Sequence, residues 1–393
     1  MKQGILTINA GSSSIKFALF PLERPISPEA EVSGQIDGIG AETTKMVAKN
    51  KAGERIADQL LEGGKVSHAQ AFDALLKWFT ASHANWQIVA VGHRVVHGGE
   101  RYSKPTLIDD TVLGHLQSFI PLAPLHEPHN VAGIIALQAL LPTVPQIACF
   151  DTAFHRSQPE VAQTFGLPRN ITAEGIKRYG FHGLSYEYIA RALPQHSGRA
   201  TGRVVVAHLG NGASMAAMVD RKCVATTLGF STIDGLVMGT RCGNLDPGVI
   251  LHLMETKNLS VKDMTKMLYK ESGLLGVSGL SQDMRTLLAS DKPEAEEAVN
   301  LFCYRIAREL GSLVAAAGGL DALVFTGGIG EHAAEVRRRV CLQSEWLGIR
   351  LNPEANARHE LRISAGNSSV DVLVIPTNEE WMMAHHAQTL LAL

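Results

Sequence analysis

Two features of the sequence are suited to handling an anion. The stretch GILTINAGSSSIKFALF (4–20) sets Asn9-Ala10-Gly11 and three serines between two apolar runs. Elsewhere, polar residues with catalytic potential interrupt or end apolar strings: Arg94 in VGHRVVHGG, His126 in PLAPLHEPHN, Asp151 in ACFDTAFH, His182 in YGFHGLS and Arg241 in GLVMGTRCGNLDP. A buried strand accepts an arginine or a carboxylate only when it is paired or meets a ligand. Five such residues, all beside Gly, Pro or aromatic residues, read as a site. An internal salt-bridge network is the alternative.

The elements that carry these residues alternate between two periods. QIVAVGHRVVHGG, PQIACFDTAFH, RVVVAHLGNGASMAAMV, DALVFTGGIG and VDVLVIPTNEE read as strands, several ending in Gly, Asn or Asp. In SDKPEAEEAVNLFCYRIARELGSLVAAAGG, Val299, Phe302, Cys303, Ile306, Leu310, Leu313, Val314 and Ala317 recur at helical spacing. Ser290 and Asp291 are its candidate N-caps, Pro293 fits the first turn, and Gly318-Gly319 ends it. Pro21 to Glu31 and Arg191 to Arg203 lack periodicity and read as surface loops. The expectation is an α/β protein with polar residues gathered at strand ends.

After Ser14, the alternation of Ile15, Phe17 and Leu19 with Lys16 and Ala18 predicts a strand, and GxxxxGK[ST] is absent. The first turn is therefore a β-hairpin. It is either an ordinary Gly-Ser hairpin or one whose N–H groups and serines meet a phosphate beside Lys16. The turn His208-Leu209-Gly210-Asn211-Gly212 carries the same ambiguity and is no Rossmann fingerprint. ILTINAGSSSIKFALF and VVVAHLGNGASMAAMVD share one plan of strand, small turn and strand, which predicts a duplicated unit whose turns face each other across a cleft. In FTGGIGEHAAEVRRRV a strand ends at Thr326 and a helix is expected near Glu331. That makes either a tight strand–helix turn or a seat for a flat ligand or phosphate. HEPH (126–129) is not HExxH, and Pro128 argues against a regular helix presenting both histidines, so zinc is rejected. GASMA ends in Ala216 rather than the glycine a serine-hydrolase elbow needs.

Length and composition narrow the class. A chain of 393 residues exceeds one ordinary core and predicts at least two domains. A formal charge of -2 gives no electrostatic case for nucleic acid or an anionic membrane. Five widely spaced cysteines without a CxxC pair fit a reducing compartment, and the short apolar run after Met1 is no signal peptide. No window has the apolar length of a membrane span. The expected location is the cytoplasm.

The strings NAGSSSIKF, GHRVVHGG, PLAPLH, FDTAFH, YGFHGLS, HLGNGAS, GLVMGTR, GGIGE and IPTNEE, in this order from Asn9 to Glu380, resemble those of acetate kinases and the closely similar propionate kinases. The resemblance implies two duplicated domains of the actin, hexokinase and Hsp70 (ribonuclease H-like) type with a nucleotide cleft between them. Domain I would be 1–150 plus 381–393, and domain II 151–380. It implies ATP and Mg²⁺ (with Mn²⁺ as a substitute), reversible phosphorylation of a short-chain carboxylate to an acyl phosphate, and a homodimer. By motif position Asn9 and Glu379 would hold the metal. Lys16, with Ser12 and Ser14, would meet the transferring phosphate. His208, Leu209, Gly210, Asn211 and Gly212, then Asp283, Met284 and Arg285, then Gly328, Ile329, Gly330, Glu331 and His332 would bind the nucleotide.

Under the same resemblance Arg94 would pair with the substrate carboxylate, with His126 beside it, and Val96, Leu125 and Phe181 would line a small acyl pocket. His182 and Arg241 would stabilise charge on the phosphoryl group in flight, with His126 as a further candidate. A carboxylic acid is already ionised at neutral pH, so Asp151 need not act as a base. It is expected to orient Arg94 or Arg241, or to hold a metal-bound water. The domains are expected to close before transfer to exclude water. The chain departs from the family's usual strings in GFSTIDGL, where Thr232 replaces a proline, in PLHEPHN, in CGNLDP with Asn244, and in Trp381 after the metal-site glutamate. A propionate or butyrate kinase, and a catalytically weak ATP-binding module, are the alternatives. A sugar kinase fits less well, because Val96, Leu125 and Phe181 offer no polar row.

Overall fold

The computed structural model describes residues 1–61 and 64–393. The chain divides into two compact units, Met1–Ala153 with Asn378–Leu393, and Phe154–Thr377. These bounds differ from those expected above by a few residues, and the difference moves two chemically important groups. Asp151 directly follows a first-unit strand, its N–H bonded to the Val95 carbonyl. Glu379 opens a helix, Glu379–Leu391, that packs on first-unit strands. Both therefore belong with Asn9 and Arg94.

The first unit holds β1 (Lys2–Ala10), β2 (Ser14–Pro21), β3 (Val32–Asp37), β4 (Thr44–Asn50), β5 (Arg55–Leu61), β6 (Trp86–Val95), β7 (Thr106–Leu107) and β8 (Gln146–Phe150). They form one sheet in the order β5-β4-β3-β2-β1-β6-β8-β7. The second unit holds β9 (Arg203–Leu209), β10 (Ala213–Val219), β11 (Lys222–Thr226), β12 (Ala322–Thr326) and β13 (Asp371–Val374), in the order β11-β10-β9-β12-β13. Four strands of each sheet repeat one pattern: β1 is antiparallel to β2 and parallel to β6, which is parallel to β8. Likewise β9 is antiparallel to β10 and parallel to β12, which is parallel to β13. The echo between the two glycine turns is thus a topological repeat, each turn following the central strand of its sheet.

Period-two burial explains the first hairpin. Ile15, Phe17 and Leu19 enter a core with Phe72, Leu75 and Phe79 of helix His68–Ser82, whose start is fixed by a Ser67–Gln70 capping box. The opposite face of the sheet receives helix Glu379–Leu391. A Cβ at Gly92 in β6 would lie 3.1 Å from the Met383 carbonyl oxygen, so glycine lets helix and strand sit flush. In the second unit β9, β10 and β12 share a core with Tyr186, Ile189 and Leu193.

Three local expectations need correction. Helix Pro293–Ala317 has Lys292 as N-cap, without a side-chain cap bond, rather than Ser290 or Asp291. Proline in the first turn already removes one orphan donor and sets φ. Gly318 ends it at φ 74°. Pro128 does not prevent a helix at HEPH but sits in the first turn of Glu127–Leu140, where its missing N–H costs nothing, with His126 as N-cap. After β12 a helix runs from Gly327 to His332, four residues earlier than expected, and a second follows from Ala334 to Gln343.

Candidate functional site

In the first unit the site grows from three strand ends. Asn9 lies near the end of β1, Arg94 near the end of β6, and Asp151 just past β8. These strands are neighbours, so the topology alone brings the three together. Arg94 Nε donates to Asp151 Oδ1 at 3.0 Å, a second donor reaches Asp151 Oδ2, and Arg94 Nη1 donates to Asn9 Oδ1 at 3.2 Å. The Asp151 side chain is buried, whereas that of Arg94 remains 20% exposed. Three of the five guanidinium N–H groups are used, which leaves two for a ligand. Burial works against the Arg94 charge, but the Asp151 carboxylate outweighs it and holds the guanidinium above its ordinary value.

Glu379, at the first turn of its helix, is pushed up to about 7 by burial, with Arg94 opposing and Asp151 and Glu380 reinforcing the shift. Among the described residues no group of three or more His, Cys, Asp or Glu gathers as a metal site. Asn9 and Glu379 instead offer hard oxygen donors at a carboxylate-rich spot. This donor set suits Mg²⁺, which keeps several waters and uses one or two protein ligands.

The hairpin turn is closed by Gly11 N–H donating to the Ser14 carbonyl at 2.8 Å. His68 contacts the Gly11 carbonyl at 2.7 Å and stacks on His129, with ring centroids 5.1 Å apart. Ser12 and Lys16 are exposed. Val96 is buried, its N–H donating to Asn130 Oδ1, and Asn130 Nδ2 donates to the Ala10 carbonyl. Asn130 thus ties the end of β6 to the end of β1, a link that sequence reading missed. Leu125 and His126 are half-buried just before the same helix.

Glu127 was also missed. It is fully buried, Oε2 accepting from His97 N–H at 3.2 Å while Oε1 has no partner among the described residues. Burial pushes its carboxyl up to about 8. A glutamate on the same helical face as Val131, Ile134 and Leu137 was the available signal.

In the second unit His182 is the N-cap of helix Gly183–Ala192 and adopts a left-handed conformation at φ 58°. Such backbone costs about 1 kcal/mol or more outside glycine and marks functional positions. Its Nδ1 contacts Ser214 Oγ at 2.8 Å, and its ring stacks on His208 at 4.5 Å. His208 Nδ1 in turn meets Ser185 Oγ at 2.8 Å. A Cβ at Gly212 would stand 3.4 Å from His182 Nε2 and 3.9 Å from Arg241 Nη1, which places both side chains around that glycine. Arg241 Nη1 donates to the Thr232 carbonyl at 2.9 Å. Phe181 is buried, its carbonyl held by His155 Nε2 at 2.8 Å.

A separate cavity of about 480 Å³ gathers Gly210, Asn211, Asp283, Met284, Arg285, Gly328, Ile329 and His332 of the expected nucleotide set, together with Gln282, Leu288 and Ala333. That volume is ordinary for a cofactor site. His208, Leu209, Gly212, Gly330 and Glu331 do not line it. His208 joins the His182 cluster and Leu209 is core. Glu331 Oε1 turns inward to accept from Gly327 N–H and Thr377 N–H, and the Gly330 carbonyl accepts from buried Arg337. These residues hold the cavity's helix in place. Arg285 pairs with Asp283, which lowers the latter's carboxyl to about 2.

The comparisons with known proteins point one way. Residues 4–385 match the model of the acetokinase family. The chain belongs to the acetokinase family. It is 54% identical over 391 residues to the acetate kinase of Rhodopseudomonas palustris (strain ATCC BAA-98 / CGA009), covering 98% of each chain. To that of Methylocella silvestris it is 49% identical over 404 residues, covering 100% of this chain and 98% of the relative. Among solved structures, a propionate kinase from Francisella tularensis superposes with a TM-score of 0.90 at 37% identity, covering 98% of this chain and 99% of the other. The Porphyromonas gingivalis acetate kinase gives 0.88 at 36%, covering 99% and 100%. The family's fold, two duplicated ribonuclease H-like domains, is the one seen in the two matching sheets.

Proposed function

We propose that this acetokinase catalyses the reversible ATP-dependent phosphorylation of acetate to acetyl phosphate. The observation that carries this reading is 54% identity, over nearly all of both chains, to a curated acetate kinase. In the forward direction a carboxylate oxygen attacks the γ-phosphorus, the bond to the β–γ bridging oxygen breaks, and ADP leaves. The carboxylate enters already ionised, so no base is required. Asp151 fits that requirement: both its oxygens are engaged by Arg94, and its role is to orient the guanidinium. The two remaining Arg94 donors hold the acetate carboxylate, with His126 beside it and Val96 and Leu125 on the apolar side. Phe181, buried in the second unit, is assigned to acyl recognition by its motif position alone.

His182 and Arg241 neutralise charge on the transferring group, and Lys16 and Ser12 meet its oxygens. The cavity holding Asp283, Met284, Arg285, Gly328 and Ile329 takes the nucleotide. Asn9 and Glu379 hold Mg²⁺, or Mn²⁺ in its place, which when bound neutralises phosphate charge. The enzyme works as a homodimer in the cytoplasm. The described residues contain no helix long and apolar enough to cross a membrane.

The structural likeness to a propionate kinase supports a second reading, propionate at the same site. One methylene separates such substrates by only about 1–3 kcal/mol. Trapping acyl phosphate with hydroxylamine, using Mg-ATP and acetate, propionate or butyrate in parallel, tests both. Acetyl hydroxamate in excess supports the proposal, a propionyl excess moves the assignment, and no product with any acid refutes it.

A further inference from the structure

The second unit builds the His182–Arg241 arrangement from two segments far apart in sequence, 178–182 and 229–241. Neither segment is a strand or helix for most of its length. Arg178 stands where they meet. Its Nη1 lies 3.0 Å from the Thr227 carbonyl, 3.2 Å from Asp234 Oδ2 and 3.4 Å from the Thr226 carbonyl. Its guanidinium carbon sits 5.4 Å from the centre of the Phe165 ring. Next to it, Tyr179 N–H and Gly180 N–H both donate to the Gly229 carbonyl, at 3.0 and 3.3 Å.

Asp234 completes the loop's closure. Its Oδ1 accepts from Gly235 N–H at 2.7 Å, and its Oδ2 would lie 2.5 Å from a Cβ at Gly229. Gly235 has φ 85°, and a Cβ there would meet the Thr227 carbonyl oxygen at 2.7 Å, so the backbone turns where only glycine fits. The loop 229–235 is therefore folded tightly around one carboxylate, and that carboxylate is held by Arg178. Two residues before Asp234, the Thr232 carbonyl accepts from Arg241. Four residues after Arg178 comes His182, at φ 58°.

We infer that Arg178 and Asp234 form a clamp that sets the Thr232 carbonyl, and through it the Arg241 guanidinium, in register with the His182 imidazole. Both are positioning residues, since neither lines the nucleotide cavity. The inference rests on the assignment of His182 and Arg241 to phosphoryl transfer. The paired carboxylate gives the loop one fixed shape, and a guanidinium displaced by about 1 Å loses much of its effect on a transition state, on the order of 10²-fold.

Two variants test the clamp. Arg178→Met keeps an unbranched apolar side chain while removing the donors and the guanidinium over Phe165, and Asp234→Asn keeps the side-chain shape and removes the charge. Each is expected to lower kcat roughly 10- to 100-fold while the nucleotide Kd stays within about twofold of the parent. Arg178→Lys, which returns charge and donors on one nitrogen, should recover part of the loss. In the nuclear magnetic resonance spectra of both variants the His182 ring signals should shift while the Met284 methyl signal in the nucleotide cavity stays in place. The clamp is refuted if kcat is unchanged, if kcat and nucleotide affinity fall together, or if the His182 signals do not move. A parent enzyme that makes no acyl phosphate would refute the proposed function instead, and the His182 and Met284 signals would still decide the clamp.

Discussion

Asp151 and Arg94 are 57 residues apart in sequence and joined through two oxygens and two nitrogens in space. Because neighbouring strands β6 and β8 are parallel, both residues emerge at the same end of the sheet. Two-point pairing fixes the guanidinium plane, which a single contact would not. Replacing Asp151 by Asn keeps the size but leaves Arg94 partly buried beside a neutral group. The expected result is a loss of kcat of roughly 10²-fold and a loss of stability of about 3 kcal/mol. Nucleotide affinity should hold, since the cavity proposed to take the nucleotide lies wholly in the second unit. Steady-state kinetics, nucleotide titration and urea unfolding of Asp151→Asn measure all three.

Glu127 gives the first unit a measurable pH dependence. Its carboxyl is raised from an ordinary 4.5 to about 8 by burial, with Asp151 adding repulsion and His97 N–H opposing. The folded chain therefore keeps a proton that the unfolded chain releases above 4.5. This contribution to stability is complete below 4.5, falls as pH rises, and is exhausted above about 8. Glu127→Gln should flatten that decline and, at pH 9, be more stable than the parent by roughly 2–4 kcal/mol. Denaturant unfolding of both proteins at pH 5, 7 and 9 checks the slope, and parallel curves would count against the assignment.

Arg337 is a fully buried cation without a carboxylate partner among the described residues. Its donors reach the carbonyls of Gly330, Glu331 and Asn356, the Asn356 side chain and His359 Nδ1. Burial lowers its ordinary value to about 10. Arg337→Met would leave those oxygens unsatisfied and release the helix that carries Gly328, Ile329 and His332. The outcome should be a stability loss of roughly 3 kcal/mol or more and about a tenfold weaker nucleotide affinity. Unfolding curves and a nucleotide titration give the two values.

Metal dependence should follow the oxygen donors. Chelation with EDTA is expected to abolish acyl phosphate formation and added Mg²⁺ to restore it. Glu379→Gln should raise the Mg²⁺ concentration for half-maximal rate by roughly tenfold or more. A variant with the parent's Mg²⁺ dependence would remove Glu379 from the metal site.

Much of this was legible in the chain because strands and glycine turns announce themselves locally. The period-two run from Ile15 to Leu19 gave the hairpin, and Val204 to Leu209 followed by Gly-Asn-Gly gave its counterpart. Arg94 and Asp151 were visible as charges inside apolar strings, and their pairing follows from strand adjacency. Other features were hidden because they depend on partners remote in sequence. Glu331 looked like a ligand residue but bonds to Gly327 and Thr377 backbone. Asn130 and Arg178 carry no local signal, because their acceptors, the Ala10 and Thr227 carbonyls, are remote along the chain. The N-caps erred because proline at the first helical positions replaces the side-chain bond that cap rules look for.

The helix from Glu379 to Leu391 has a consequence for synthesis. The first unit is interrupted in the chain, its last helix following all of the second. On the ribosome residues 154–377 emerge before β1 and β6 can receive the helix that covers Gly92. Until then the strand face waits bare, and Glu379, one of the two residues proposed to hold the metal, is absent. The first unit is accordingly completed late, when a helix that follows the whole second unit docks onto strands that precede it.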